Sequence, residues 1–345
     1  MTDAPTLDIV HVCCTDAFAG VERHVSELAA AQAELGHRVT VVGGEVTRVQ
    51  AVAGDGVAVL PGRSIPVALR SLRRVVARPD VVNVHMTAAE VAVALAWRLR
   101  DVPVVSTRHI AVPRGNRRLT RPVVRLGARR VDVQLAVSQF VADHIDGAST
   151  VALSGVRSEP ERTRADQRGR VVLVAQRLER EKATDVAVTA FARSGLASQG
   201  WRLRIAGQGV LASELEELAG RLGVSEAVDF LGHRNDVWDL MQSSAVLLAP
   251  DTDEAFGLSV VEAMARGLPV VAAGSGGHLE TVGSVPGAAL FRPGDPEDAA
   301  RLLRDLAGSE EERETYGARL QVVQRERFTV EQQALRTDLV YRRLL

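Results

Sequence analysis

Two glutamates eight residues apart, Glu254 and Glu262, are the most chemically suggestive feature of the sequence. An apolar run, Ala245–Ala249, precedes them and a second, Pro269–Ala273, follows, which predicts a strand, a helix and a strand. The helix must then begin near Gly257, so Glu254 lies in the turn before it and Glu262 about a turn and a half inside. Because the first N–H groups of a helix lack intrahelical acceptors and carry partial positive charge, this junction predicts a phosphate site flanked by two acids.

Two cationic side chains form a second candidate for phosphate chemistry. Lys182, the only lysine in the sequence, lies five residues after Arg177, and both follow the apolar run Val171–Ala175. A planar guanidinium and a compact ammonium at a strand end can together neutralise a diphosphate leaving group. The alternative is a pair of solvated charges at the start of a helix.

The spacing of these charged residues resembles that of a known family. Glu254-x7-Glu262 resembles the Glu-x7-Glu signature of the retaining glycosyltransferases of family 4, which have GT-B architecture. Arg177-x4-Lys182 resembles the Arg-x4-Lys pair of that family. The family's usual glycines before the Arg and after the Lys are replaced by Gln176 and Ala183. The resemblance implies a retaining glycosyltransferase that moves a sugar from a UDP- or GDP-sugar to an acceptor hydroxyl.

The resemblance also implies roles for individual residues. Arg177 and Lys182 hold the diphosphate, Glu262 binds the ribose hydroxyls, and Glu254 engages the transferred sugar together with His109. The implied catalytic group is thus Arg177, Lys182, Glu254 and His109. The implied donor-binding group is Gly20, Phe256, Gly257, Leu258, Ser259, Glu262, Gly276 and Gly277. No side chain is assigned as a nucleophile, because the family's proposed same-face mechanism lets the departing phosphate oxygen help to deprotonate the acceptor.

Glycine-containing loops follow predicted strands at two places. Phe18–Val25, which contains Gly20, resembles the family's Gly-Gly loop, with Ala19 in place of the first glycine. One glycine is by itself more often only part of a turn. Gly274–Glu280 resembles the family's Gly-Gly-x-x-Glu loop, whose backbone amides cradle the sugar, and His278 replaces a usually apolar residue there.

His109 follows the predicted strand Val104–Ser106. A neutral imidazole there can donate to a sugar hydroxyl, and its position resembles that of a family histidine near the donor sugar. The alternative is a loop histidine satisfied by its neighbours. His85, which ends the preceding strand, carries a weaker version of the same argument, and His11, within a strand, is expected to be packed.

Short valine-rich runs alternate with amphipathic helical patterns, which predicts parallel sheets covered on both faces. The predicted strands are Leu7–Cys14, Arg38–Val42, Val81–Val84, Val104–Ser106, Val133–Val137, Val171–Ala175, Leu203–Ala206, Ala227–Leu231, Ala245–Ala249, Val270–Ala273 and Ala288–Phe291. These patterns predict an α/β fold with two doubly wound Rossmann-like domains facing across a cleft, and the resemblance to family 4 implies that this fold is GT-B. Ser154–Gly169, rich in Arg, Glu and Pro, predicts a linker. We place the acceptor-side domain at residues 1–157, the donor-side domain at 158–328, and at 329–345 a C-terminal helix that, by resemblance, crosses back to the first domain.

Composition limits the partners and the compartment. A net charge of -1 provides no global field for nucleic acid, and 3% aromatic residues argue against base-stacking platforms. Cys13 and Cys14 are adjacent in a strand and point to opposite faces, so free thiols in a reducing cytoplasm are expected. The sequence shows neither a signal peptide nor an apolar run of the roughly 18 residues that a transmembrane helix needs.

Eight arginines and no acid lie between Arg108 and Arg130. Basic and apolar residues with helical spacing in this segment are Leu119, Arg121, Val123, Val124, Arg125, Leu126, Arg129 and Arg130. Such a helix can dock on anionic lipid, or it can be a solvated face of an arginine-rich protein, and the sequence leaves both open. Docking would place the protein on the cytoplasmic face of a membrane and favour an anionic or lipid-linked acceptor.

Asp251-Thr252-Asp253 resembles the Asp-x-Asp metal motif of the other glycosyltransferase fold. Because Arg177 and Lys182 already supply positive charge, we expect no metal and no cofactor beyond the nucleotide-sugar substrate. Two alternatives to a transferase remain. A GT-B sugar-nucleotide 2-epimerase would need further cleft carboxylates, and a non-catalytic nucleotide-sugar-binding protein would not need both the cations and the glutamates.

Overall fold

Two α/β units divide the chain. The computed structural model describes residues 5–75, 78–115, 121–158 and 163–345. The first unit comprises Met1–Val156 together with Val330–Leu345, and the second comprises Arg157–Thr329. The chain thus passes from the first unit to the second within the segment that the sequence predicts as a linker, and it returns for its final segment.

Among the described residues that precede the linker, the first unit contains a parallel sheet and six α-helices. Its strands are β1 (Asp8–Cys13), β2 (Arg38–Val42), β3 (Val57–Leu60), β4 (Val81–His85), β5 (Val104–Arg108), β6 (Val133–Ala136) and β7 (Thr150–Val151). Its helices are α1 (Gly20–Glu34), α2 (Val46–Ala53), α3 (Ile65–Leu72), α4 (Thr87–Leu95), α5 (Arg121–Ala128) and α6 (Gln139–His144). The strand order is β3-β2-β1-β4-β5-β6-β7.

The second unit repeats this design with six strands. They are β8 (Val171–Ala175), β9 (Arg202–Ala206), β10 (Val228–Gly232), β11 (Val246–Ala249), β12 (Val270–Ala273) and β13 (Ala289–Phe291), in the order β10-β9-β8-β11-β12-β13. The helices are α7 (Thr184–Ser194), α8 (Ala212–Arg221), α9 (Val237–Ser243), α10 (Leu258–Ala265), α11 (Pro296–Gly308) and α12 (Glu310–Arg327).

Burial explains why the strands are continuous apolar runs. Every residue of β4, β5, β11 and β12 is buried, since helices cover both faces of a parallel sheet. Each sheet also has a point where the strand order reverses, between β1 and β4 in the first unit and between β8 and β11 in the second. Ligands of open parallel sheets bind outside the carboxyl ends of the strands at such points.

The last helix, α13 (Val330–Arg342), packs in the first unit. Val330 and Ala334 form a buried apolar cluster with Leu28 and Ala31 of α1. Near the end of α13, the hydroxyl of buried Tyr341 accepts a hydrogen bond from Asn83 Nδ2 at 2.7 Å. The segment after the second unit therefore supplies part of the first unit's core.

The predicted fold class, α/β with two Rossmann-like sheets, is confirmed. Three predicted strands, Arg38–Val42, Val171–Ala175 and Val270–Ala273, have the observed ends, and the other eight are shifted by one or two residues at one or both ends. Two strands, β3 and β7, were not predicted. β3 is a four-residue strand at the edge of its sheet, and β7 has two residues, so neither gives a long apolar run. β5 continues to Arg108 because its final polar side chains are buried rather than exposed.

The two cysteines do not form a disulfide. Cys13 is buried and Cys14 partly buried, and both are free thiols. Burial raises the pKa of Cys14 to about 11 and that of Cys13 well above its usual value. Among the residues that the structure describes, no helix combines the length and the apolarity needed to cross a bilayer.

Candidate functional site

Two loops of the second unit leave neighbouring strands at the reversal of strand order. Leu247 of β11 pairs with Leu173 of β8 in the sheet. The loop after β8 carries Arg177 and Lys182, and the loop after β11 carries Glu254. The topology therefore brings the cationic segment and the first glutamate to the same edge of one sheet, where a ligand is expected.

Lys182 connects the two loops. Its Nζ donates to Asp251 Oδ2 at 2.5 Å and to Glu254 Oε2 at 2.8 Å. The Asp251 side chain is only 4% exposed, against 17% for Lys182 and 24% for Glu254. An ammonium group has three donors, so one remains for a further acceptor. Lys182 is therefore a structural link between the loops as well as a source of positive charge.

The two acids of this cluster differ in their protonation. Burial raises the pKa of Asp251, in spite of the charge of Lys182. Burial acts in the same direction on Glu254, but the charge and hydrogen bond of Lys182 outweigh it and hold the pKa of Glu254 below its usual value. Burial also disfavours the charged form of Lys182, but Glu254 and Asp251 raise its pKa overall. Lys182 is thus a stable cation, and Asp251 takes up a proton more readily than Glu254.

The two positions that depart from the family's glycines, Gln176 and Ala183, flank the segment that carries Lys182. A short 3-10 turn, Arg180–Lys182, ends at Ala183, whose φ of 47° is in the left-handed region that favours glycine. Gln176 Nε2 donates to the carbonyl oxygen of Lys182 at 2.7 Å and to Thr184 Oγ1 at 2.9 Å. The side chain of Gln176 therefore holds the turn that positions Lys182.

Arg177 does not touch the lysine cluster. Its Nη2 donates to Glu181 at 3.2 Å, and its side chain is 66% exposed. An exposed ion pair of this kind contributes at most about 1 kcal/mol. A more highly charged anion can therefore replace Glu181 as the partner of Arg177 at little cost. The structure places Arg177 at the predicted strand end, as an exposed side chain near the surface of the unit.

Helix α10 begins at Leu258, as the sequence predicts. Its N-cap is Gly257, with φ of 91°. A Cβ at Gly257 would approach His278 Cδ2 to 3.3 Å, so the left-handed conformation favours glycine and the packing leaves little room for a side chain. The amides of Leu258 and Ser259 belong to the first turn, whose N–H groups have no acceptor within the helix. Glu262 follows in the second turn and is partly exposed.

The second glycine loop packs directly on the segment that enters α10. Gly277 N donates to the carbonyl oxygen of Glu254 at 2.7 Å. A Cβ on Gly276 would lie 2.7 Å from that same oxygen, and one on Gly277 would lie 2.6 Å from Phe256 Cα. These glycines are therefore needed for backbone-to-backbone packing, which fixes the position of Glu254.

Two side chains in these loops belong to the core. Phe256 is 3% exposed, and its ring meets that of Phe328 edge to face with ring centres 5.9 Å apart, so its side chain is not available to a ligand. His278 is buried, and its Nδ1 lies 3.2 Å from the carbonyl oxygen of Ala273. Burial lowers the pKa of His278, so it is a neutral packing residue that donates to Ala273.

The Asp-x-Asp sequence forms a turn that is tied to the lysine. Asp251 Oδ1 accepts from the backbone N–H of Asp253 at 2.9 Å, while its Oδ2 accepts from Lys182. Over the described ranges of the chain, no group of three or more His, Cys, Asp or Glu side chains is arranged to hold a metal ion. The Asp251 carboxylate thus already has partners at both oxygens.

In the first unit, His109 is partly exposed and lies within hydrogen-bond distance of the buried His85. His109 Nε2 is 2.9 Å from His85 Nδ1. Burial, together with the nearby His24, lowers the pKa of His109 well below its usual value, so the ring is neutral at pH 7. His85 and His11 are both fully buried.

Gly20 is the first residue of α1, and the local backbone does not require a glycine there. A Cβ at Gly20 would meet no atom within 4 Å. By contrast, Gly43 has φ of 117°, and a Cβ there would lie 1.6 Å from the carbonyl oxygen of Cys13. Gly43 follows β2 and packs against the end of β1, where there is no room for a side chain. It is therefore the glycine that the fold needs here, and the sequence analysis did not identify it.

The described arginines between Arg108 and Arg130 do not all lie on one basic face. Buried Arg108 pairs with Asp146, and buried Arg114 pairs with both Glu90 and Asp146. Among the described residues of α5, the exposed ones are Pro122, Val123, Arg125 and Leu126, and exposed Arg129 follows the helix. Arg130 Nη2 donates to the carbonyl oxygen of Leu99 at 2.6 Å. Residues 116–120, which include Leu119, and the side chain of Arg121 lie outside the described residues. Part of the predicted basic surface is thus internal ion pairing.

Two family models match successive parts of the chain, and a solved structure shares its fold. The model described as Glycosyltransferase Family 4 matches residues 18–151, and the model described as Glycosyl transferases group 1 matches residues 156–321. Solved HepE from Anabaena, in complex with UDP and glucose, superimposes with a TM-score of 0.79 at 22% identity, over 97% of this chain and 99% of that one.

Two curated proteins illustrate the range of relatives. The lipopolysaccharide core biosynthesis mannosyltransferase LpsB of Rhizobium meliloti is 28% identical over 82% of this chain and 81% of its own. An exopolysaccharide phosphotransferase of Streptomyces coelicolor is 34% identical over 45% of this chain, but the match spans only 17% of that protein. The two family models follow one another along the chain and divide it close to the boundary between its two units. The chain belongs to the family 4 glycosyltransferases, which have the GT-B fold.

Proposed function

We propose that this glycosyltransferase is a retaining enzyme that moves a sugar from a UDP- or GDP-sugar to an acceptor hydroxyl. The observation that carries the proposal is the cluster of Lys182, Asp251 and Glu254 beside the start of α10. A cation and helix amides that have no acceptor within the helix suit the diphosphate of a nucleotide sugar, and the adjacent acid suits the hydroxyls of its sugar. HepE binds UDP and LpsB is a mannosyltransferase, which supports both donor classes without choosing between them.

Each group in the second unit has a role in this proposal. The third N–H of Lys182 and the guanidinium of Arg177 meet the diphosphate, together with the amides of Leu258 and Ser259. Glu262 accepts from the ribose hydroxyls, and Glu254 from the transferred sugar. Charge must be adjusted when the donor binds, because two ionised acids and one ammonium already carry a net negative charge. Protonation of Asp251, whose pKa is raised by burial, would relieve that repulsion.

The first unit is proposed to supply His109 and the loop at Gly20. Neither the backbone conformation nor the packing requires a glycine at position 20. We propose that the absence of a side chain at Gly20 instead lets a ligand approach the backbone closely. We also propose that the exposed apolar and basic residues of α5 contact an anionic surface, which would suit an anionic or lipid-linked acceptor. Sedimentation with anionic and neutral vesicles at low salt tests this contact. Equal pelleting with both would remove it.

No metal has a role in the proposal, because Asp251 is engaged with Lys182 and the cations supply the charge that a metal would bring. Turnover is therefore expected to be unchanged by EDTA. Loss of turnover that Mg²⁺ or Mn²⁺ restores would contradict this step.

Titration with a panel of UDP-, GDP- and ADP-sugars tests the function as a whole. We expect one class of nucleotide sugar to bind tightly and then to be slowly hydrolysed or used for transfer. NMR should show that the released or transferred sugar has the same anomeric configuration as in the donor. An inverted product would refute retention. Isomerisation of the nucleotide sugar would instead identify the 2-epimerase, and binding with no turnover of any donor or acceptor would identify a sensor.

A further inference from the structure

A chain of imidazoles crosses one face of the first unit's sheet. His11 Nδ1 lies 3.0 Å from His85 Nε2, and His85 Nδ1 lies 2.9 Å from His109 Nε2. The register explains the alignment. Cys13 of β1 pairs with His85 of β4, and Thr107 of β5 pairs with the same His85. Each step therefore moves one strand across and two residues along, so successive rings lie diagonally on one face.

The inner end of the chain is fixed by an amide on α1. His11 Nε2 lies 2.7 Å from Gln32 Oε1, an atom that can only accept. With the amide in this orientation, His11 carries its proton on Nε2 and accepts at Nδ1, and Gln32 Nε2 is buried without a hydrogen-bond partner among the described residues. His85 must then donate from Nε2 and accept at Nδ1. The same reasoning requires His109 to donate from Nε2, which leaves its Nδ1 with a lone pair.

The three rings are neutral, so each has one donor and one acceptor. Burial lowers the pKa of His11 to about 4 and that of His85 well below its usual value. The pKa of His109 is lowered in the same way. His109 is the partly exposed member of the chain, and no partner for its Nδ1 is found among the described residues. The outward end of the chain is therefore an acceptor atom.

A fourth histidine beside this chain has the opposite tautomer. Gln333 Oε1 accepts from the backbone N–H of Gly155 at 3.0 Å, which turns its Nε2 toward His24 Nε2 at 2.8 Å. Gln333 therefore donates, and His24 carries its proton on Nδ1. That N–H is buried and has no hydrogen-bond partner in the described chain, although His24 and His109 meet edge to face with ring centres 5.1 Å apart.

We propose that Gln32, His11 and His85 are positioning residues that hold His109 as its Nε2–H tautomer, so that His109 Nδ1 accepts a hydrogen bond from a substrate hydroxyl. The substrate contact rests on the proposed function, whereas the tautomer is a property of the first unit alone. His109 therefore acts as an acceptor, where the sequence suggested a donor. We do not assign His109 as a general base. A second proton would give its ring a positive charge, which burial and the neighbouring His24 disfavour.

Long-range ¹⁵N NMR of the histidine side chains in the full-length protein tests the tautomers directly, since a protonated ring nitrogen resonates far from a bare one. Wild-type protein is expected to show Nε2–H at His11, His85 and His109 and Nδ1–H at His24. An Nδ1–H signal from His109 would overturn the proposal and needs no variant that could fail to fold.

Gln32→Met removes the terminal acceptor while keeping the side-chain length. His11 would then avoid a buried orphan N–H by moving its proton to Nδ1, and the whole chain would reverse, so that His109 becomes the Nδ1–H tautomer. His144→Gln, an exposed histidine of the same unit, is the matched control and should leave all four signals unchanged. An unchanged His109 in Gln32→Met would show that the chain does not set its tautomer.

Sugar transfer separates this proposal from the proposed function. Gln32→Met is expected to lower kcat/KM by up to about tenfold, the equivalent of one hydrogen bond, while His144→Gln keeps the wild-type value. Wild-type kcat/KM in a Gln32→Met protein with reversed tautomers would overturn the substrate contact. Failure of wild-type protein to transfer any sugar would refute the proposed function and that contact together, and the NMR result would still stand for the chain.

Discussion

Replacing Lys182 by methionine should destabilise the second unit in a way that depends on pH. The substitution keeps much of the side-chain volume but leaves Asp251, which is 4% exposed, and Glu254 without their shared cation. Removing one partner of a buried ion pair costs about 3 to 5 kcal/mol. Because Lys182 is 17% exposed, we expect the lower end, about 3 kcal/mol, at pH 8.

The sign of the pH dependence follows from the altered acids. In wild-type protein Lys182 holds the pKa of Glu254 below its usual value, so that contribution is present above the unfolded pKa and is lost only as the pH falls through the folded pKa. In Lys182→Met, two adjacent buried carboxylates would have raised pKa values. The folded variant then binds more protons than the unfolded chain, so its free energy of unfolding rises as the pH falls from 8 to 5.

Denaturant unfolding followed by tryptophan fluorescence measures this effect, since Trp201 and Trp238 both lie in the second unit. The double variant Lys182→Met, Asp251→Asn is the control that separates stability from chemistry. It should recover most of the lost stability, because one of the two unpaired charges is gone, yet remain defective in turnover. A single variant as stable as wild type at pH 8, or a double variant no more stable than the single one, would refute the electrostatic account.

Three further predictions concern the same two units. Ala183→Gly should raise the free energy of unfolding by about 0.5 to 1 kcal/mol, because glycine relieves the left-handed backbone at φ 47°, and a loss of stability in denaturant titrations would contradict this. Gly20→Ala should fold normally but bind the donor about fivefold more weakly by calorimetry, whereas Gly43→Ala should fail to fold; wild-type donor affinity in Gly20→Ala would remove Gly20 from the site. Donor binding should take up a proton as Asp251 is neutralised, which calorimetry in buffers of different ionisation enthalpy detects, and equal heats in all buffers would contradict it.

The sequence was sufficient for features that depend on local pattern. Continuous apolar runs predict buried parallel strands, and the start of α10 at Leu258 follows from strand spacing and the glycine before it. The backbone needs of Gly257 also follow from its place between a strand and a helix. Such features depend on residues that are close in sequence.

The sequence was insufficient where partners come from distant segments. Lys182 and Asp251 are 69 residues apart, so their ion pair becomes visible only once β8 and β11 are known to be neighbours. The arginines show the same limit, since Arg114, in the loop after β5, finds a buried partner in Glu90, 24 residues away on α4. Composition indicates a basic surface there, but tertiary pairing turns part of it inward.

Helix α13 has a consequence for how the protein is made. The first unit needs Val330, Ala334 and Tyr341 in its core, yet these residues leave the ribosome after the whole second unit. The second unit can therefore complete its fold during synthesis while the first still waits for its last helix. A premature stop codon just before Val330 would spare every residue of the lysine cluster and still expose the apolar face of α1 to chaperones and proteases.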